Sequence, residues 1–205
     1  MEIYFIRHGR SRADDEGKHE GRYDSPLTEV GKDQVKKRAL QWKEAGLRFT
    51  KIVASPLARA AETARIIGDI LDSPVELEED LMEIDNGDLA GLTYEEAEEK
   101  LPYPDFLNPY DRIAHGSGES PWQLHSRGIR ALEKVIQLRE DRVLVVSHGG
   151  TLNAMIRSIV GAQPPVNGHG LYFAFADAGY LHTEYNPDKY QWIIRHFERG
   201  YIFDE

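Results

Sequence analysis

Apolar residues along the chain fall into short strand-like runs separated by longer stretches with helical spacing. Residues 2–6, Glu-Ile-Tyr-Phe-Ile, form the first such run, and it stops abruptly at Arg7-His8-Gly9. A second, Arg142-Val-Leu-Val-Val-Ser147, runs into His148-Gly149-Gly150. Lys51-Ile-Val-Ala54 is a third, and Pro74–Leu77 reads as a short edge strand. Continuous apolar runs of this length, bounded by Gly or polar residues, predict strands buried on both faces.

Between them the period changes. Val35, Ala39 and Trp42 share one face of a helix predicted from Thr28 to about Ala45, with Gly46 as its stop. Leu57, Ala61, Ala64, Ile67 and Leu71 form the stripe of a helix opened by Ser55-Pro56. Thr93 and Glu96 make a capping box for a short acidic helix to Lys100. Ser120-Pro121 opens a helix to about Arg139, and a further helix covers about 151–160. Residues 10–26 and 101–120 are irregular and rich in Gly, Pro and polar types. The tail predicts antiparallel strands at 171–175, 180–185 and 191–195, with a turn at 186–189. Alternating strands and helices predict an α/β fold with three layers, α/β/α, and a mostly parallel central sheet. Strands 2–6, 51–54 and 142–147 are expected to be adjacent. One domain spans residues 1–205, with a small cap insertion at about 92–126.

Composition narrows the chemistry. The 205 residues suit one domain with a solid core. No apolar run approaches the ~18 residues that span a bilayer, and the first residues lack a charged leader and cleavage site, so the cytoplasm is the expected location. Zero cysteines exclude disulfides, zinc-thiolate sites and a cysteine nucleophile. A net charge of −10 disfavours nucleic acid and anionic membrane as partners. Any phosphate site must therefore be locally basic, and Arg7, Arg10, Arg12, Arg22 and Arg59 could make it so. No H-x-H, H-E-x-x-H or strand-end D-x-D pattern suggests a metal site. The sequence leaves the oligomeric state open, a homodimer included.

Ligands bind at the carboxyl ends of strands in open α/β sheets. Two parallel strands that each deliver a His there would set two imidazoles side by side. The dipeptide His-Gly also occurs at 115–116 and 169–170, but without an apolar strand before it. His19, His115, His125, His169, His182 and His196 are read as structural or surface residues.

Arg7-His8-Gly9, Ser55-Pro-Leu-Ala-Arg59-Ala-Ala-Glu-Thr-Ala64 and Ser147-His-Gly-Gly150 together resemble the histidine phosphatase superfamily, the phosphoglycerate mutase-like phosphatases and mutases. Asp24-Ser-Pro-Leu-Thr-Glu-Val-Gly31 and Glu83-Ile-Asp-Asn-Gly87 extend the resemblance in the family's order. The resemblance implies a phosphoglycerate mutase-like fold and a small phosphorylated substrate. It implies His8 as nucleophile, forming a phosphohistidine, with Arg7, Arg59 and His148 holding the phosphoryl oxygens. Glu83 is implied as the acid and base, and Gly149 and Gly21 as phosphate-site residues. No metal or cofactor is implied. The stretch between Glu83 and His148 is shorter than in the mutases, which favours a metal-independent phosphomonoesterase. A cofactor-dependent phosphoglycerate mutase and a non-catalytic phosphate-binding module are the alternatives. Tyr103, Phe106 and Tyr110 read as cap packing or as a wall over the substrate.

The chain departs from the family at four positions. Asp14 stands where Asn is usual, Glu20 where many of the phosphatases have Gln, and Arg10 and Ala90 where Glu is frequent. A carboxylate roughly 5 Å from a phosphate charge repels it by about 3 kcal/mol at an effective dielectric of 20. Pairing of Asp14 and Glu20 with Arg10, Arg12 or Arg22 is the expected offset. A cationic substrate, or a loop shifted so that neither acid faces the phosphate, would also relieve it.

Overall fold

The apolar run at the start of the chain becomes Glu2–Arg7 (β1), and its four middle residues are all buried. The computed structural model describes residues 1–102, 104–114 and 116–202. Tyr103 and His115 lie outside the described residues. β1 is followed by Arg12–Asp15 (α1), Glu29–Glu44 (α2), Lys51–Ala54 (β2), Ala58–Leu71 (α3) and Val75–Leu77 (β3). After two short 3-10 turns come Tyr94–Lys100 (α4), Pro121–Gln137 (α5), Arg142–Ser147 (β4), Gly149–Val160 (α6), Tyr180–Asn186 (β5) and Gln191–Glu198 (β6).

The strands form one six-stranded sheet in the order β3-β2-β4-β1-β5-β6. β3, β2, β4 and β1 are parallel, and β5 and β6 extend the sheet antiparallel. The three strands expected to be adjacent are so, with β4 between β1 and β2. Alternation along each strand divides the core. Tyr4, Ile6, Ile52, Ala54, Leu144 and Val146 face α2 and α3 with Val35, Ala39, Trp42, Ala64 and Ile67. Ile3, Phe5, Val53, Val143 and Val145 face α5 and α6 with Ala131, Val135, Leu152, Met155 and Ile156. This is the predicted three-layer α/β/α arrangement. Each fully buried Ile, Leu or Phe in it contributes about 1.5–3 kcal/mol.

Where β1 ends, the backbone passes close to α2. A Cβ on Gly9 would lie 2.5 Å from the Gly31 carbonyl, so only glycine fits. Leu89, Ala97 and Ala114, flanked by Leu92, Leu101 and Ile113, form a small core of their own.

Three local readings change. Residues 171–175 are not a strand. Side chains of α6 satisfy that backbone instead: Asn153 accepts from the Phe173 N–H at 2.7 Å and donates to its carbonyl at 3.0 Å, while Arg157 donates to the Leu171 carbonyl at 2.8 Å. The helix after β2 starts at Ala58, not Ser55, because Leu57 before it is extended and Asp24 accepts the Ala58 N–H at 2.7 Å. Inside loop 10–26, Ser11 and Asp14 form a capping box that folds α1, a turn of helix absent from the sequence reading.

Candidate active site

β1 and β4 pair in parallel with Arg7 opposite Ser147, so the residues that follow them leave the same sheet edge together. The rings of His8 and His148 are 5.1 Å apart, centre to centre. His8 is buried. Its Nδ1 lies 2.7 Å from the Gly9 carbonyl, which can only accept, so Nδ1 carries the hydrogen and Nε2 the lone pair. Burial, with the charges of Arg7 and Arg59, holds this imidazole well below the ordinary value, so it is neutral. His148 is held low by burial and by Arg59 in the same way. Its Nε2 bonds the Ser55 hydroxyl at 2.8 Å, and its buried Nδ1 has no protein partner.

Arg59 lies in the first turn of α3, whose start is fixed by Asp24. Fully buried, it donates Nε–H to His8 Nε2 at 3.2 Å, and its other nitrogens donate to the carbonyls of Tyr23 at 3.1 Å and Gly21 at 2.9 Å. Arg7 donates to Asp177 at 3.2 Å and to Asp14 at 3.4 Å. Gly21 has φ +49°, and a Cβ there would lie 1.8 Å from Asn86 Oδ1. The fork of Arg59 and the bend at Gly21 therefore fix each other.

Glu83 meets the N-terminus of α6. Its carboxylate accepts N–H groups of Gly150 and Thr151, each at 3.0 Å, the Thr151 hydroxyl at 3.2 Å and its neighbour Ile84's N–H at 2.8 Å. A Cβ on Gly150 would come within 2.6 Å of that carboxylate, so glycine lets the acid sit on the helix end. Gly149 opens α6 beside His148. Arg127, on α5, donates to the carbonyls of Asp80, Met82 and Glu83 and so secures the segment that carries the acid.

The two acids that depart from the family pattern do face the site, and their partners differ from those expected. Arg10 pairs with Asp15, Arg12 with Glu16, and Arg22 with Asp85 and Glu119. Asp14 instead pairs with Arg7, and Glu20 with Arg59 at 3.2 Å. Glu20 also takes a 2.5 Å hydrogen bond from the Ser11 hydroxyl and approaches His8 Nε2 to 3.7 Å. The physical reason is proximity: α1 and the bend at Gly21 carry both acids inward, while Arg10 and Arg12 point along α1 to its own acids.

A cavity of about 310 Å³ opens beside Arg7, Asp14, Glu20 and Glu83, with Lys18, His19, Asn86 and Tyr94 in its wall. His19, read as structural, thus reaches the site. Asn86 was given no role by the sequence; it carries no charge, and its only signal is a place in the segment that begins at Glu83. Its Oδ1 is buried without a partner. Phe106 and Tyr110 line a different hollow, and Tyr110 stacks on Trp122. Among the described residues, no group of three or more His, Asp or Glu is placed to hold a metal ion.

Residues 3–197 match the histidine phosphatase superfamily (branch 1). The chain belongs to this superfamily. Phosphatases and phosphoglycerate mutase-like proteins both occur among its relatives. It is 30% identical to the uncharacterized phosphatase PhoE of Bacillus subtilis (strain 168), over 92% of this chain and 95% of that one. It is 35% identical to a metal-independent phosphoserine phosphatase of Arabidopsis thaliana, covering 79% and 70% of the two chains. Among solved structures, YhfR of Bacillus stearothermophilus shares the fold with a TM-score of 0.82 at 23% identity, over 98% of each chain. Phosphoserine phosphatase of Entamoeba histolytica, in complex with 3-phosphoglyceric acid, gives 0.78 at 27% identity over 96% of each chain. In the described residues, no helix is long and apolar enough to cross a membrane.

Proposed function

We propose that this histidine phosphatase superfamily member is a metal-independent phosphomonoesterase that acts through a phosphohistidine on His8. The observation that carries this reading is the state of His8: Nδ1 donates to the Gly9 carbonyl, and the bare Nε2 faces the Arg59 guanidinium. The lone pair attacks phosphorus in line and forms the N–P bond as the ester P–O bond breaks. Arg7, Arg59, His148 and the N–H groups at Gly149 stabilise charge on the three non-bridging oxygens. Glu20 and Gly21 complete the phosphate site, with Asp14 acting on it through Arg7. Glu83 gives a proton to the departing alkoxide. It then takes one from the water that attacks the phosphohistidine, releasing phosphate and restoring His8.

Hydrolysis is favoured over transfer by the charges of the cavity. Asp14, Glu20 and Glu83 line it together with Arg7 and Lys18. In that wall the Asp14 carboxylate repels a substrate carboxylate, so simple phosphomonoesters fit better than phosphoglycerates. The mutase reading draws on relatives such as the probable phosphoglycerate mutase GpmB of Enterobacter sp. (strain 638), 34% identical over 78% of this chain and 75% of that one.

The test is hydrolysis of p-nitrophenyl phosphate with and without EDTA, followed by acid-labile, base-stable labelling at His8. Turnover that survives EDTA and vanishes in His8→Ala supports the proposal. A folded His8→Ala that still turns over removes it. Isomerisation of 3-phosphoglycerate without phosphate release would select the mutase.

A further inference from the structure

Glu20 occupies ground that a bound phosphoryl group needs. One carboxylate oxygen is 3.2 Å from Arg59 Nε and the other 3.7 Å from His8 Nε2. A phosphorus atom in line with Nε2 brings its oxygens against that carboxylate. Two arrangements relieve the clash of charge: the side chain swings out, or it stays and carries a proton.

Its surroundings favour staying. The hydroxyl that holds Glu20 belongs to Ser11, a fully buried residue, which also accepts the Asp14 N–H in the capping box. The backbone on both sides is pinned, since His19 N–H donates to the Leu92 carbonyl and Gly21 C=O accepts from Arg59. The charged and titratable groups around Glu20 come from every neighbouring element. Arg7 closes β1 and His8 follows it, Asp14 comes from α1, Arg59 from α3, Glu83 from the segment between β3 and α4, and His148 follows β4. Tyr94 of α4 and, on its own loop, Lys18 and His19 complete the set. Burial, the largest influence, and Asp14 favour the acid, while Arg59, the Ser11 hydroxyl and Arg7 favour the ion, and the balance already lies above the ordinary value. A phosphoryl dianion adds two negative charges on the same side.

We propose that Glu20 binds phosphate as a carboxylic acid, donating its O–H to a non-bridging oxygen, so that each dianion enters the site together with one proton. This rests on the phosphate site proposed above and makes Glu20 a specificity-determining residue. The site discriminates for oxyanions able to accept that hydrogen bond and becomes progressively less available as the solution turns alkaline. The proton balance is simple: one proton comes from solvent when a free, ionised Glu20 meets the dianion, and it returns on release. His8 and His148 are held well below their ordinary range in the free site, and because Glu20→Gln keeps both, any proton they take up with the dianion shows as a slope in that variant.

Sulfate is a suitable probe because it remains a dianion from pH 6 to pH 9. Its binding is measured by calorimetry in buffers of different ionisation heat, and by inhibition of p-nitrophenyl phosphate hydrolysis. Above the free-state titration of Glu20, sulfate affinity of the unaltered protein falls about tenfold per pH unit with uptake of one proton. Glu20→Gln, which offers a permanent N–H donor, binds with no such slope and more tightly at pH 8. Asp14→Asn keeps the slope, which assigns the proton to Glu20. A flat profile in the unaltered protein, an equal slope in Glu20→Gln, or no sulfate binding at pH 6 overturns the proposal. The calorimetric arm needs no turnover: proton-linked sulfate binding by a protein that hydrolyses nothing would sink the phosphatase reading and leave this one standing.

Discussion

Arg59 donates its Nε–H to the unprotonated ring nitrogen of His8, across 3.2 Å. The same guanidinium is anchored at both remaining nitrogens by main-chain carbonyls of Tyr23 and Gly21. It is therefore aimed before substrate arrives, and the reaction proposed above needs little reorganisation of it as charge develops on the phosphoryl oxygens.

Arg59→Ala is expected to lower kcat on the order of 10²–10³-fold, the scale for losing one pre-set donor. Arg59→Lys should recover little of it. Lysine keeps the charge but cannot span His8, Tyr23 and Gly21 with one planar fork. Steady-state kinetics of both variants check this, and a lysine variant near full activity would mean that charge alone matters.

Asp14→Asn should lower KM for simple phosphomonoesters at neutral pH. Asp14 pairs with Arg7 at 3.4 Å and so competes for that guanidinium with the phosphate of the proposed reaction. The amide removes the competing charge while retaining a side-chain oxygen for the Ser11 N–H. An unaltered KM would show that Arg7 is not shared between the two.

Gly21→Ala should destabilise the fold. A left-handed residue with a Cβ costs about 1–2 kcal/mol, and here the added carbon would also meet Asn86. Thermal melts of Gly21→Ala, Asn86→Ala and the double variant separate the two effects. The double variant should regain the part due to the clash and retain the part due to φ. Strict additivity of the two losses would deny that these residues touch.

Acid should unfold the protein partly through Glu119. Burial raises its carboxyl, but hydrogen bonds from Arg127 and the Asp85 N–H outweigh burial and hold it below 4.5. A lowered folded value contributes stability that is present above the unfolded value and lost as pH falls through the folded one. The denaturant midpoint should therefore drop as pH falls below about 4.5. Glu119→Gln should make that limb shallower, with a lower midpoint at pH 7. Equal limbs in the two proteins would show that the pair is not linked to folding.

The paired strand ends were legible because burial and sharp polar stops are written locally: residues 2–9 and 142–150 place two imidazoles on one edge once the strands are parallel. Arg59 was legible for the same reason, one turn into a strand–Pro–helix unit. The partners of Asp14 and Glu20 were not, because loop 10–26 offers several cations to several acids and tertiary contact decides among them. Residues 171–175 have strand-forming side chains, but two α6 side chains satisfy that backbone better than any neighbouring strand. Asn86 left no trace in charge or periodicity; its importance lies in touching Gly21, which only the folded chain reveals.

β1 lies at the middle of the sheet, yet the strands on either side of it come from the last third of the chain. Glu2 aligns with Arg142 on one side and with Glu184 on the other. During synthesis, the segment that bears His8 thus leaves the ribosome long before anything can pair with it. Its apolar face waits for two long loop closures, which slow folding and leave β1 open to a chaperone or to another nascent chain. A chain halted between β4 and β5 would leave β1 paired on one side only, an open edge where the finished sheet has its middle.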